Sequence, residues 1–343
     1  MAVRLKDIAR DLGVSVVTVS KVLRGNKDIG DETRRRVLKR MKELNYQPNM
    51  LARGLASGKT YTVGLVVPDL VHPFFAEFAK SLGAVLRESN RALIITSSED
   101  DPEIERQEIR TLLRRGIDVL LIASCQPSLR NFYEIGDQRT PYLLFDRNFP
   151  HRAAHFVGSN DVQVGEMATN HLIETGRTRI AHIAGQHTSP AFDRVRGYRN
   201  AMSDAGLDVP DSYIYTGAHL EETGDKVAAK AVEHLFSLPE PPDAIFCYND
   251  LTAIGAIEAV LARGLRVPED IAVIGCGNMP YNDYLKVPLS SIDHGTAELG
   301  RRAGELALDL AADAEQSPKN ILVPPTLVAR ASTRGAAAKD TQK

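Results

Sequence analysis

Residues 5–25, LKDIARDLGVSVVTVSKVLRG, carry apolar side chains at helical spacing on both sides of a glycine. Ile8 and Leu12 form one stripe, and Val19, Val22 and Leu23 a second, each at steps of three or four that place them on one helix face. Gly13 falls where a tight turn between two helices needs it, and Ser15 stands where a hydroxyl caps the second helix. Two helices so joined match a helix-turn-helix, whose second helix enters the major groove of DNA with its first residues at base edges. With Val19, Val22 and Leu23 turned inward, Val16, Val17, Ser20, Lys21 and Arg24 are left outside. Ser15, Thr18 and Ser20 offer hydroxyls to phosphate oxygens, which sets register, while Val16 and Val17 are placed to touch bases. A third stripe, Val37, Leu38, Met41 and Leu44, completes a three-helix bundle, with Asp31 positioned to cap its helix. A small bundle with a solvated basic face satisfies the same periodicity, so the motif alone leaves both readings open.

The charge distribution separates this head from the rest. Residues 1–60 hold 14 Lys and Arg against 6 Asp and Glu, a net of +8, while the remainder carries −10 within a chain total of −2. A basic head meets a polyanion; an acidic body does not. A chain of 343 residues suits two or three domains, and its 43% hydrophobic and 25% charged residues are those of a globular protein. The opening MAVRLKDIAR has no apolar run for a signal peptide, and no 18 consecutive apolar residues occur. Cys125, Cys247 and Cys276 are odd in number and widely spaced, which suits reduced thiols, so the cytoplasm is the expected compartment. Without a C-x-x-C pair, no metal site is expected, and no cofactor.

From residue 62 the pattern changes to short β-branched runs alternating with amphipathic stretches. Strands are predicted at 62–67, 92–96, 118–122, 142–145, 155–158, 179–184, 244–248 and 271–275, with helices in most gaps. Alternation at this spacing means parallel sheets covered by helices on both faces, and eight strands are better housed in two α/β lobes than in one sheet. The tail GAAAKDTQK, 335–343, has nothing to bury and is expected to be disordered.

The head resembles that of the lactose-repressor (LacI/GalR) family of bacterial regulators, through LKDIARDLGVSVVTVSKVLRG and ETRRRVLKRMKELNYQPNMLARGL. Later segments follow in the family's order: VGLVVPDLVHPFFAEF, the DR of LLFDRNFP, FVGSNDVQVG, DRVRGYRNAM, FCYNDLTAIGAIEAV, GLRVPEDIAVIG and PLSSID, covering about residues 4–334. The resemblance implies an all-α helix-turn-helix head (1–47), a hinge (48–61) and an α/β body (62–334) of the type I periplasmic-binding-protein-like fold. That body has two lobes with parallel sheets, about 62–160 plus 293–320 and 161–290 plus 321–334. It further implies a homodimer on palindromic operator DNA, controlled by a small-molecule effector, with a sugar or sugar derivative as inducer favoured over a corepressor. The hinge would fold on the operator, bringing Asn49, Ala52 and Arg53 to the duplex and pushing Leu55 into the minor groove as an apolar wedge. The C-terminus has no leucine heptads, so a dimer and not a tetramer is expected.

Two lobes leave a cleft beyond the carboxyl ends of their strands, where ligands bind. The family's effector contacts fall on Asp69, Phe74 and Phe75 after the first strand and on Asp146 and Arg147 after the fourth. They continue with Arg194 of an R-x-x-G pattern ending at Gly197, His219, Asn249, Asp250 and Asn278. Phe74 and Phe75 equally suit a core, Asp250 a helix N-cap, and Arg194 an ion pair with Asp193. One departure stands out. Where relatives commonly read G-F-D-D, this chain reads GCGN, so Gly277 replaces an acid and Asn278 is left to substitute. Either the ligand is bulkier, or it carries an anionic group that the acid would have repelled.

Two other classes of protein make demands that this sequence does not meet. A solute receptor for a transporter would have no use for the basic head. An enzyme would need a catalytic string, and GLASGKT at 54–60 only imitates a phosphate loop, with three residues between Gly54 and Gly58 where four are needed. Neither G-x-G-x-x-G, H-E-x-x-H nor G-x-S-x-G occurs, so no catalysis is expected.

Overall fold

The computed structural model describes residues 3–23, 26, 28–46, 58–126, 140–149, 154–185, 187–217 and 224–334. The chain divides into two compact units, residues 1–60 and 61–343. Arg24, Asn49, Ala52, Arg53, Leu55, His219 and the tail 335–343 lie outside the described residues.

In the first unit α1 (Leu5–Leu12), α2 (Val16–Leu23) and α3 (Asp31–Glu43) enclose a core of Ile8, Ala9, Val19, Val22, Val37 and Met41. Gly13 closes α1 at φ +66°, returning its N–H to Arg10 and leading the chain into α2, a backbone shape that glycine adopts without a Cβ penalty. Ser15 Oγ accepts from the Thr18 amide at 3.0 Å and so caps α2. Arg40 ties α3 to α1 through Asp11 at 2.7 Å. Two sequence expectations need correction. Asp31 is the first residue of α3 rather than its cap, which is Gly30 without a side-chain bond. Leu38 is 49% exposed, because the buried line runs from Val37 to Met41, one full turn on, and passes Leu38 by.

The described residues of the second unit form two six-stranded sheets. The first lobe contains β1 (Thr62–Val67), β2 (Ala92–Ser97), β3 (Val119–Ile122), β4 (Tyr142–Phe145), β5 (His155–Ser159) and β11 (Asn320–Val323), all parallel, in the order β11-β5-β4-β3-β1-β2. Along β1 the side chains alternate. Val63, Leu65 and Val67 face α4 (Pro73–Glu88) and α10 (Thr296–Ala312), while Val66 faces α5 (Pro102–Arg114). The second lobe contains β6 (Ile180–Ala184), β7 (Ile214–Thr216), β8 (Ala244–Cys247), β9 (Ala272–Cys276), β10 (Ser290–Asp293) and β12 (Thr326–Val328). Its order is β12-β10-β9-β8-β6-β7, parallel except for β12 against β10. One face is covered by α6 (Asp161–Glu174) and α7 (Ser189–Asp204), the other by α8 (Gly224–Phe236) and α9 (Asp250–Ala262).

The helices α6 and α7 touch through their backbones. A Cβ on Gly197 would lie 2.0 Å from the Val162 carbonyl oxygen, and one on Gly165 2.3 Å from that of Arg194. Glycine at both places is what lets α7 press Arg194 against the start of α6.

Among the described residues the chain crosses between the lobes three times: from β5 to α6 at residues 159–161, from β10 to α10 at 293–296, and from β11 to β12 at 323–326. The third crossing corrects the expected boundary, since residues 321–323 pair with β5 in the first lobe and the change of lobe falls at Pro324–Pro325. All three cysteines are unpaired. No described helix is long and apolar enough to cross a membrane.

Candidate functional site

The outer face of α2 presents Val16 at 44% and Val17 at 60% exposure. Two apolar side chains so exposed at the first turn of a capped helix have no use in the bundle itself. Ser15 and Thr18 pair through their hydroxyls at 2.8 Å, and Lys21 reaches Asp28 at 2.5 Å. These are exposed contacts that trade readily for phosphate oxygens.

The second candidate site is a cleft of about 220 Å³ between the two lobes of the body. It is lined by residues that follow the carboxyl ends of strands in both sheets, as the topology requires. From the first lobe come Asp69, His72, Phe74, Phe75, Asp100, Asp146 and Arg147; from the second, Arg194, Tyr248, Asn249, Cys276 and Gly277; and His294 stands on the second crossing.

The first-lobe wall is set by α4, whose N-terminus begins His72-Pro73. Proline at the first helical position loses no hydrogen bond, and His72 Nδ1 accepts from the Phe74 amide at 3.3 Å. Phe75 turns inward, 7% exposed and edge-on to Phe145, whereas Phe74 stands edge-on to His294 across the cleft, with ring centres 6.0 Å apart. The two adjacent phenylalanines are thus divided between core and cleft. Asp69 Oδ1 accepts from the Val71 amide at 2.7 Å.

Beyond β4 the backbone adopts φ +60° at Asp146, a left-handed shape that costs an aspartate about 1 kcal/mol or more and collects at functional sites. Burial pushes the Asp146 carboxyl up to about 6 against the pull of Arg147. Arg147 spends Nη1 on Asp100 at 2.7 Å, while its buried Nε has no hydrogen-bond partner, with Asp146 Oδ2 3.8 Å away. A buried donor without an acceptor costs about 1–3 kcal/mol, which a ligand oxygen removes.

Arg194 is 5% exposed and forms the cleft floor. Its Nε and Nη2 both bind Asp161 Oδ1 at 2.8 Å, Nη1 donates to the Tyr248 carbonyl at 2.6 Å, and Nη2 reaches His294 Nε2 at 3.4 Å. The guanidinium also lies 4.6 Å over the Tyr248 ring. Gly185 makes room for that ring, since a Cβ there would lie 2.6 Å from it. Asp161 begins α6 after the first crossing and His294 occupies the second, so one side chain ties two inter-lobe crossings to β8. The ion pair read from sequence is therefore with Asp161; Asp193 pairs with Arg196 at 2.9 Å instead.

Two predicted residues, Asp250 and Asn278, stand differently from their expected places. Asn249, not Asp250, is the N-cap of α9, accepting from the Thr252 amide at 2.8 Å. Asp250 is fully buried behind the cleft wall and accepts from the Ser291 hydroxyl at 2.6 Å, the Met279 amide at 2.9 Å and the Asn282 amide group at 2.8 Å. Burial raises its pKa and these three donors oppose the rise. With its oxygens so engaged it shapes the loop after β9, and Gly275 must be glycine because a Cβ would sit 2.3 Å from Asp250 Oδ1. Asn278 does not line the cleft either: it donates to Asp293 and accepts from Arg330, both at 2.9 Å. Gly277 does line it, at φ +124°, a backbone shape closed to other residues. His72, His294, Asp100, Tyr248 and Cys276 were not picked out from the sequence; their shared signal is position just after a strand or at a helix start.

A helical head with an exposed reading face, joined to a two-lobed body with a ligand-sized cleft, defines the class of ligand-controlled DNA-binding regulators. The comparisons agree with that class. Residues 4–49 match the model for bacterial regulatory proteins of the lacI family, and 169–333 that for a periplasmic binding protein-like domain. The chain belongs to the LacI family of bacterial transcription regulators. It is similar to the HTH-type transcriptional regulator DegA of Bacillus subtilis, 31% identical over 97% of this chain and 98% of that one. The HTH-type transcriptional repressor PurR of Aliivibrio fischeri is 32% identical over 96% of this chain and 97% of its own. The Ribose operon repressor of Haemophilus influenzae is 32% identical over 96% and 98%. Among solved structures, the transcriptional regulator CelR–cellobiose complex covers 96% of this chain and 99% of its own at 28% identity and a TM-score of 0.71. The Lac repressor dimer bound to operator and the anti-inducer ONPF covers 97% and 99% at a TM-score of 0.84, and at 22% identity shows the shared fold alone.

Proposed function

We propose that this regulator is a cytoplasmic, nucleoid-associated repressor that holds a palindromic operator as a homodimer and releases it when a sugar-like effector fills the inter-lobe cleft. In this reading residues 1–47 read the operator, 48–61 form the hinge, and 62–334 sense the effector. Ser15, Val16, Val17, Thr18, Ser20, Lys21 and Arg24 meet the major groove. Asn49, Ala52, Arg53 and Leu55 meet the minor groove. Asp69, Phe74, Asp146, Arg147, Arg194 and Asn249 hold the ligand, with Phe75 packed behind Phe74.

The observation that carries this reading is the pair of buried donors without partners, Arg147 Nε and His294 Nδ1, in residues that line one cleft. Buried polar atoms are nearly always paired, so a cleft that leaves two unpaired is completed by a polar guest. The similarity to the Ribose operon repressor and to the CelR–cellobiose complex supports a sugar. A purine-like corepressor is the second reading, favoured by the similarity to PurR. A thermal-shift screen over sugars, sugar phosphates, sugar acids, nucleosides and purine bases tests it. The true ligand at a hundred times its dissociation constant adds about 2.7 kcal/mol to stability. A screen in which no small metabolite moves the midpoint would contradict effector control.

A further inference from the structure

Two adjacent valines open α2 on its outward side, and neither belongs to the core of the bundle. Val19 and Val22 carry the packing of this helix, buried in one cluster with Ile8, Val37 and Met41, while Val16 and Val17 stand exposed. A β-branched side chain is also a poorer helix former than alanine, so the pair weakens the turn it occupies. The polar groups around it are engaged within the head. Ser15 and Thr18 bond to each other at 2.8 Å, and Lys21, one turn on from Val17, holds Asp28. The opening turn of α2 therefore presents a patch of valine methyl groups, set in a segment, residues 1–60, of net charge +8.

We propose that Val16 and Val17 read thymine through its C5-methyl group, so that each operator half-site places A·T pairs beneath the first turn of α2. This rests on the reading that α2 lies in the major groove and adds the identity of the bases to it. The base edges in that groove present ring nitrogens, carbonyl oxygens and amino groups, and one strongly apolar group, the methyl of thymine. A valine pressed on guanine, on adenine or on the cytosine amino group strips water from polar atoms and returns no hydrogen bond. Pressed on a methyl group, it removes apolar surface from water on both sides. Selection for thymine thus has an attractive and a repulsive part. Valine suits this task because its χ1 is nearly fixed in a helix, so little side-chain freedom is lost on contact. Neighbouring helical residues point about 100° apart, so the two valines address different base pairs. Ser15 and Thr18 keep a separate role, exchanging their mutual bond for phosphate oxygens, which hold register and carry no sequence information.

Selection from a randomised duplex pool with the full chain supplies the palindromic site, and thymine is then replaced by uracil one position at a time, in both halves together. Uracil keeps every hydrogen-bonding atom and loses only the methyl. Losing one buried methyl group weakens an apolar contact about fourfold. Under the valines, replacement in both halves should therefore weaken binding, read by fluorescence anisotropy, about tenfold or more. Thymines elsewhere should tolerate it to within about twofold. Val16→Ala together with Val17→Ala should bring the thymine-to-uracil ratio at the sensitive positions to within about threefold. The same variant should bind a scrambled duplex, held through its phosphates, to within about twofold of the parent, whereas a merely structural pair would lower both affinities together. Both positions are exposed and alanine is the better helix former, so the variant is expected to fold. Should it not, the uracil series on the parent decides. A series in which no position loses more than about twofold, or a variant that keeps the parent's ratio, overturns the proposal. With a palindrome still selected, operator binding stands and only the methyl reading is lost; a pool in which no sequence is enriched sinks the operator reading itself.

Discussion

Replacing Arg194 by leucine is expected to cost about 3–5 kcal/mol of unfolding free energy and to abolish the response to effector. The stability cost follows from what the side chain leaves behind. Asp161 has 8% of its side chain exposed and Arg194 6%, so truncating the arginine strands a buried carboxylate. The response is lost because the same guanidinium joins the crossings at Asp161 and His294 to the end of β8. A ligand that engages this guanidinium in the cleft it lines pulls on all three. The two consequences separate in a double-mutant cycle with Asp161→Asn, which removes the stranded charge. Stability should recover by about 1 kcal/mol or more relative to the sum of the single changes, while the effector response stays absent. Denaturant unfolding measures the first and calorimetry with effector the second. A single variant as stable as the parent to within about 0.5 kcal/mol would show the network to be idle.

Acid should weaken the body sharply between about pH 6.5 and pH 4, with His182 a main cause. This histidine is fully buried in β6, stacked on Phe246 at 4.3 Å, and binds the Phe246 carbonyl through Nδ1 at 2.9 Å. Its Nε2 is buried with no partner, so a second proton would have no acceptor, and burial lowers its pKa from 6.5 to about 4. Above pH 6.5 neither the folded nor the unfolded chain protonates it. As pH falls below 6.5 the unfolded chain takes up the proton first, so stability drops until the folded form follows near pH 4. The accumulated loss is about 3 kcal/mol. Chemical denaturation at several pH values measures it, and His182→Phe should remove that portion of the slope. An unchanged slope in the variant would assign the loss elsewhere, to His294 above all, which burial also holds well below its usual pKa.

The three-helix head was legible because its apolar residues repeat cleanly and its turn is marked by Gly13 and Ser15. Eight of the twelve strands among the described residues were legible as β-branched runs. The four that were missed lack that signal: β7 is only Ile214–Thr216, β10 opens with two serines, and β11 and β12 are short runs on either side of Pro324–Pro325. The serines in β10 are buried yet satisfied, Ser290 by Thr333 and Arg330, Ser291 by Asp250. Such partners lie some 40 residues away and cannot be seen locally. The same limit explains Asp250. Its place after a strand suggested a ligand contact, but its donors come from residues 279, 282 and 291. It also explains His294, whose tautomer is set by an arginine 100 positions earlier. Phe74, Asp146 and Arg147 were readable because position after a strand is itself the signal, and nothing distant cancels it.

The central claim is that occupancy of the cleft governs how the basic head holds its operator. Fluorescence anisotropy with a labelled palindromic duplex and a scrambled one of equal length, titrated with and without the ligand found by thermal shift, tests it most directly. The palindrome should bind at least a hundredfold more tightly than the scrambled duplex, consistent with the specificity ratios of about 10³–10⁷ common among such proteins. Its affinity should fall steeply with salt as counterions are released, and ligand should weaken it further. Equal affinity for both duplexes, or operator binding indifferent to a ligand that demonstrably fills the cleft, would contradict the account.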